Sequence, residues 1–317
     1  MSTAHDALFS SELFHDMNPS LLNEIGRLMT RRHYEKGEKV FNQGDPGDSL
    51  LVVQEGRLET SIAAPAGRRI TLSEMNPGEV IGELSLLGHG VRTATVTAIE
   101  PATCWVLERA AFDVLRHDSR RSASEMVRRI GLLAVHRLER LYQRVAREIT
   151  GDAPAQDPGA PLQPRNTPDD AAYLATTLFF REFTLEEVET IAGDLNQVYA
   201  ERDSLVVQGG KRPDTLLMVV RGAVETSMRG AEGTRRLRLS GPGRLIGQVG
   251  LISETPFTQH IESRARENSV LLELPWDMVQ ELLDGNGRLA RKFAAAVWSD
   301  TVRAVQDGGR PVATLTV

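Results

Sequence analysis

Apolar residues fall at helical spacing in two places along this 317-residue chain. Between Ser119 and Ile149 there is no proline and one interior glycine, Gly131, and apolar residues recur at Val127, Ile130, Ala134, Leu138, Leu141, Val145 and Ile149. These steps match an eleven-residue period more closely than a heptad, which predicts one nearly straight helix with a continuous apolar stripe. Its first half suits packing on its own domain. Its second half, with Arg137, Arg140, Arg144 and Arg147 on the other faces, projects towards a partner and offers a homodimer contact through residues 119–149. A shorter version, with Leu289, Phe293, Val297, Trp298 and Val302, runs from Arg288 to Gln306. Strand spacing shows in Thr93–Ala98, where Ala94, Val96 and Ala98 share one face and Thr93, Thr95 and Thr97 the other.

The pattern lapses from Thr150 to Asp170, where prolines stand at 154, 158, 161, 164 and 168 and almost nothing suits a core. This reads as a linker. Beyond it the chain repeats: at an offset of 165 residues Leu13-Phe14 falls on Leu178-Phe179, Gly44 on Gly209, Gly82 on Gly247 and Leu86 on Leu251. The expected organisation is therefore a first domain over 10–149 with its long C-terminal helix, a linker over 150–170, a second domain over 171–307 and a tail over 308–317.

Composition narrows the class. Hydrophobic residues at 41% and charged residues at 25% are an ordinary globular balance. No apolar run is long enough to span a bilayer, and the N-terminus lacks the order of a signal peptide, so no membrane and a cytoplasmic location are expected. The single cysteine, Cys104, sits in an apolar run and reads as a buried thiol. A net charge of -6 argues against a chain that mainly grips nucleic acid. The seven histidines show no metal-ligand spacing, and no nucleophile elbow, P-loop or carboxylate pair stands out, so neither an enzyme nor a metal site is expected.

One stretch carries candidate chemistry. In Gly82-Glu83-Leu84-Ser85-Leu86-Leu87, Gly82 lets the backbone turn closely and the residues after it can form a short helix whose first N–H groups face an anion. Arg92, nine residues past Glu83, can supply a charge-assisted partner for phosphate oxygens. Glu83 costs electrostatic free energy beside an anion unless it accepts hydrogen bonds, and a ribose hydroxyl is a donor that shares a molecule with a phosphate. Blander roles stand beside these: Glu83 complementing a helix dipole, Arg92 as a strand-end charge, Ser85 capping the turn.

This cassette closely resembles the signature of cyclic nucleotide-binding domains, the family of catabolite activator protein, the regulatory subunits of cyclic AMP-dependent kinase and the cyclic nucleotide-gated channels. The stretch from Tyr34 to Leu50 resembles the glycine-punctuated opening strands of that family's β-roll, and Cys104 to Phe112 its last strand running into a helix. The resemblance implies a mainly β fold with flanking helices, built as two tandem jelly-roll-like β-rolls (double-stranded β-helices), each followed by a helix. It implies cAMP or cGMP as ligand, with Glu83 on the ribose 2′-hydroxyl, Gly82, Leu84 and Ser85 around the cyclic phosphate, and Arg92 neutralising it. Thr93 is a candidate for choosing between the bases, and Arg128, Arg129 or Leu133 for covering the base. In the second copy Gln248 stands at the ribose-carboxylate position and Phe257 at the phosphate-arginine position, so that copy is expected to be degenerate unless His260 or Arg264 substitutes.

Only a short tail follows the second helix, so no DNA-reading winged helix is expected. The expected function is a cyclic nucleotide receptor that signals through a separate effector protein. Two alternatives stay open: an assembly scaffold using both rolls for protein contacts, and a transcriptional regulator lacking the winged helix.

Overall fold

The computed structural model describes residues 8–63, 69–88, 90–117, 121–148, 158–208, 215–230, 233–248 and 261–313. The chain divides into two compact units, Met1–Ala134 with Ala313–Val317, and Val135–Val312.

In the first unit Asn18 opens helix α1 (Pro19–Gly26). Its side chain accepts from the Ser20 N–H at 2.9 Å, and Pro19 takes the first helical position, where an N–H would go unused. Eight strands follow: β1 (Thr30–Tyr34), β2 (Lys39–Phe41), β3 (Ser49–Glu55), β4 (Leu58–Ala63), β5 (Arg69–Met75), β6 (Val80–Ile81), β7 (Thr95–Ala98) and β8 (Ala102–Glu108). They form two four-stranded antiparallel sheets, ordered β1-β8-β3-β6 and β2-β7-β4-β5. The two sheets share a core that includes Leu51, Val53, Leu58, Val96, Cys104 and Val106. Within β7, Val96 and Ala98 point inward as the alternation requires, whereas Thr93 lies ahead of the strand and is exposed. Burial pushes the Cys104 thiol up to about 12.

Helix α2 (Glu83–Gly88) follows β6, and β8 runs directly into α3 (Arg109–His117), as the resemblance implies. Helix α4 (Arg121–Glu148) covers most of the predicted 119–149 stretch. Val127, Ile130 and Ala134 of its stripe are buried; Ile149 and the side chains of Leu138, Leu141 and Val145 lie outside the described residues. The division between units falls inside this helix, at Ala134, so its later half groups with the second unit.

The second unit repeats the plan. Its elements are β9 (Gln163–Pro164), α5 (Ala171–Leu174), α6 (Leu185–Ala192), β10 (Gln197–Ala200), β11 (Leu205–Val207), β12 (Thr215–Arg221), β13 (Val224–Gly230), β14 (Gly233–Ser240), β15 (Leu245–Ile246), β16 (Ile261–Ala265), β17 (Ser269–Pro275), α7 (Trp276–Asp284) and α8 (Arg288–Ala313). Pairings recur at equivalent positions: Leu51 with Ile81 and Leu217 with Ile246, Thr60 with Ser73 and Thr226 with Arg238.

Two features differ from the sequence reading. The later part of the 150–170 stretch adds an edge strand to the second roll, with Val198 opposite Pro164 and Tyr199 opposite Gln163. A proline is tolerated there because an edge strand has one side with no ladder to complete. Asp169 then accepts from Arg165 and from Arg221, whose Nη2 lies 2.6 Å away, and the Arg221 guanidinium sits 3.9 Å above the Tyr173 ring centroid. Helix α8 also runs on to Ala313 instead of giving way to a tail after Gln306. Asp307, on its last described turns, accepts from Arg244 Nη2 at 2.8 Å, which ties that part of the helix to the roll.

Candidate functional site

Two segments meet in the first roll to build the site. The turn from Gly44 to Gly47 is zipped to residues 90–92: Gly44 N–H donates to the Arg92 carbonyl at 2.9 Å, Arg92 N–H to the Asp45 carbonyl at 2.8 Å and Gly47 N–H to the Gly90 carbonyl at 3.1 Å. This fixes Arg92 beside the start of β3 and the cassette. Gly82 has φ +83, and a Cβ there would collide with the Arg92 guanidinium and lie 2.7 Å from the Ser49 carbonyl. A side chain at Gly47 would collide with Ser85. Both positions therefore require glycine for conformation or for space.

Arg92 is 3% exposed. Its Nη1 donates to the Ser49 carbonyl at 2.7 Å and to Ser85 Oγ at 3.2 Å, and its Nη2 to Ser49 Oγ at 2.7 Å and Asp48 Oδ1 at 3.1 Å. The guanidinium lies 4.0 Å above the Phe41 ring centroid. Nε is buried and finds no acceptor among the described residues. Burial pulls the Arg92 pKa down; Asp48 and Glu83 oppose that fall and Arg109 adds to it. Among the described residues the carboxylate paired with it, Asp48, is 70% exposed and solvated, so that pair is screened.

The structure brings the other sequence candidates to the same place, with one exception. Gly82 precedes α2, Glu83 opens it fully buried, and Leu84 and Ser85 are buried in its first turn. Thr93 follows Arg92 but is exposed. Of the residues named for covering a base, Arg128 and Arg129 both bind Glu125 and Arg129 also donates to the His15 carbonyl at 2.6 Å, while Leu133 is buried. Burial opposes ionisation of Glu125, yet the two arginines outweigh it and hold the carboxyl below its ordinary value.

Three residues escape the sequence reading. Asp48 and Ser49 hold Arg92, and Arg109 braces the cassette from the start of α3. Arg109 Nη1 donates to the Leu86 carbonyl at 3.0 Å and its Nη2 to the Gly47 carbonyl at 2.7 Å and to the Ser85 carbonyl. The arginine thus joins the helix and the turn that flank Arg92. Its sequence signal is faint, a single arginine at a strand-helix junction, far in sequence from the carbonyls it meets.

In the second roll Gln248 is buried. Phe257 and His260 lie outside the described residues. Arg264 is engaged, its Nε donating to Glu262 at 3.0 Å and its Nη1 to the Asp203 carbonyl at 3.1 Å. Among the described residues no His, Cys, Asp and Glu group could hold a metal, and no helix is long and apolar enough to cross a membrane.

Comparison with known proteins identifies the family. The cyclic nucleotide-binding domain model matches residues 31–119 and 197–286. The chain is 24% identical over 268 residues to cGMP-dependent protein kinase egl-4 of Caenorhabditis briggsae, which covers 84% of this chain and 29% of the kinase. It is 33% identical over 138 residues to the cyclic AMP receptor protein of Thermus thermophilus, covering 44% of this chain and 58% of that protein. The chain thus spans under a third of the kinase's length. Among solved structures, the regulatory domain of Toxoplasma gondii PKA with cAMP aligns over 89% of this chain and 92% of that one, at 19% identity and a TM-score of 0.34. With one matched stretch falling on each roll, and the two together taking in more than half of its residues, the chain belongs to the cyclic nucleotide-binding domain family.

Proposed function

We propose that the first roll is the receptor site of a cytoplasmic regulatory protein: it binds cAMP or cGMP and passes the change to a separate effector protein. The observation that carries this reading is Arg92, a buried guanidinium whose Nε–H meets no acceptor among the described residues, stacked on Phe41 and facing the cassette. A cyclic phosphate supplies a counter-charge shielded from solvent and takes over the Asp48 and Ser85 contacts. Gly82, Leu84 and Ser85 cradle it, and Glu83 accepts from the ribose 2′-hydroxyl. Thr93, exposed in this structure, is the candidate for hydrogen-bonding a base folded over the sugar.

Displacement of a fluorescent cyclic nucleotide tests the assignment. Unlabelled cAMP or cGMP should compete with the intact chain, and the probe should fail to bind Arg92→Ala. Equal binding by the parent and the variant would remove the site, and absence of binding to both would favour the scaffold reading. If Thr93→Ala weakens both nucleotides alike or neither, its hydroxyl plays no part in base choice.

A further inference from the structure

The two rolls differ together at four equivalent positions. The strand pairings align Ser73 with Arg238, and β6 with β15 aligns Glu79 with Arg244 and Glu83 with Gln248. β8 runs into α3 at Arg109 and β17 into α7 at Trp276, so Leu133 and Asp300 stand at the same position, twenty-four residues on. The first roll has a carboxylate in its cassette and an apolar residue on its helix. The second has an amide in its cassette, an arginine on β14 and another just before β15, and a carboxylate on its helix.

In the second roll these residues converge. Asp300 is 3% exposed. Its Oδ2 accepts from the Leu245 backbone N–H at 3.1 Å, Gln248 Nε2 at 3.2 Å and Arg238 Nη2 at 3.2 Å, and its Oδ1 lies 2.8 Å from Arg244 Nε. Arg244 reaches a second helix carboxylate, Asp307, at 2.8 Å. A buried carboxylate is stable only when its desolvation is offset by close opposite charge and hydrogen bonds, and here both are present. Removing either side leaves an unpaired buried charge, so the helix cannot leave the roll cheaply.

We propose that Asp300 is an internal ligand of the second roll, which latches helix α8 to the cassette strand without any nucleotide. Gln248 serves that latch by donating to the helix carboxylate, where a glutamate would repel it. The second roll is therefore a fixed body, and ligand response is confined to the first, whose helix carries Leu133 at the same position.

Hydrogen–deuterium exchange of the full chain tests this, read at the α8 amides of residues 297–303. In the parent, exchange there is slow and unchanged by saturating cAMP or cGMP. Asp300→Asn, which keeps shape and removes charge, should raise it by roughly tenfold or more while the second roll's strands stay protected. Gln248→Glu should raise it as well, by setting two carboxylates face to face. Adding Asp300→Asn to Gln248→Glu should restore most of the protection, since one carboxylate again faces the two arginines. Should Asp300→Asn alone fail to fold, the Gln248→Glu pair decides. Unchanged exchange in Asp300→Asn, no recovery in the double variant, or a nucleotide-dependent change in the parent would overturn the latch. The variant arms need no nucleotide, so their failure is separable from failure of the receptor reading.

Discussion

Arg92 does two things at once, and its substitution should show both. Removing one partner of a desolvated charge pair costs about 2 to 5 kcal/mol, so Arg92→Ala should lose roughly 30-fold to several-thousand-fold in nucleotide affinity. It also orphans the Ser49 carbonyl, a buried acceptor, and should lower unfolding stability by about 1 to 3 kcal/mol in urea titration. A variant with full stability and full affinity would contradict the placement of this side chain. Glu83→Gln should cost less affinity, because it weakens hydroxyl hydrogen bonds without creating an orphan charge. Cys104, with its thiol pushed up to about 12 by burial, should resist alkylation at neutral pH until the roll unfolds. Modification as fast as that of a free thiol would show the strand to be open. Glu83 and Arg92 were legible in the sequence because a glycine, a carboxylate and an arginine keep fixed local spacing. Arg109 was not, because the carbonyls it braces at Ser85 and Gly47 are brought to it only by the fold.

At the scale of elements, the long helix was readable from its stripe, and β7 from its alternation. The edge strand β9 was not, because proline-rich composition describes a chain that lacks a core of its own and says nothing of a neighbour's sheet edge. That strand is held through Asp169, whose carboxyl is kept below its ordinary value chiefly by the hydrogen bond from Arg221, against the opposing effect of burial and with help from Arg165. A carboxylate with a depressed folded pKa adds stability above its unfolded value, near about 3.9, and loses it as pH falls through the lower folded value. Asp169→Asn should therefore melt below the parent at about pH 7, and the gap should narrow towards about pH 3. A gap that stays constant or widens in acid would show that the pair contributes no charge-dependent stability.

For the whole molecule, the tandem repeat was visible at its 165-residue offset because glycines at turns and apolar positions in strands are set by the fold. The Asp300 cluster was hidden, since its members come from β14, β15, the cassette and α8 and share no local spacing. If the second roll supports the switch, deleting residues 171–317 should change nucleotide affinity at Glu83 and Arg92, although the deleted part holds none of the proposed ligand contacts. An unchanged affinity in a well-folded truncation would remove the second roll from the switch. The central claim is that this chain is a nucleotide receptor with its site in the first roll alone, and titration calorimetry of the full chain with cAMP and with cGMP tests it most directly. One nucleotide bound per chain, lost in Arg92→Ala and kept in Asp300→Asn, is the predicted result; two per chain, none, or binding that survives Arg92→Ala would contradict it.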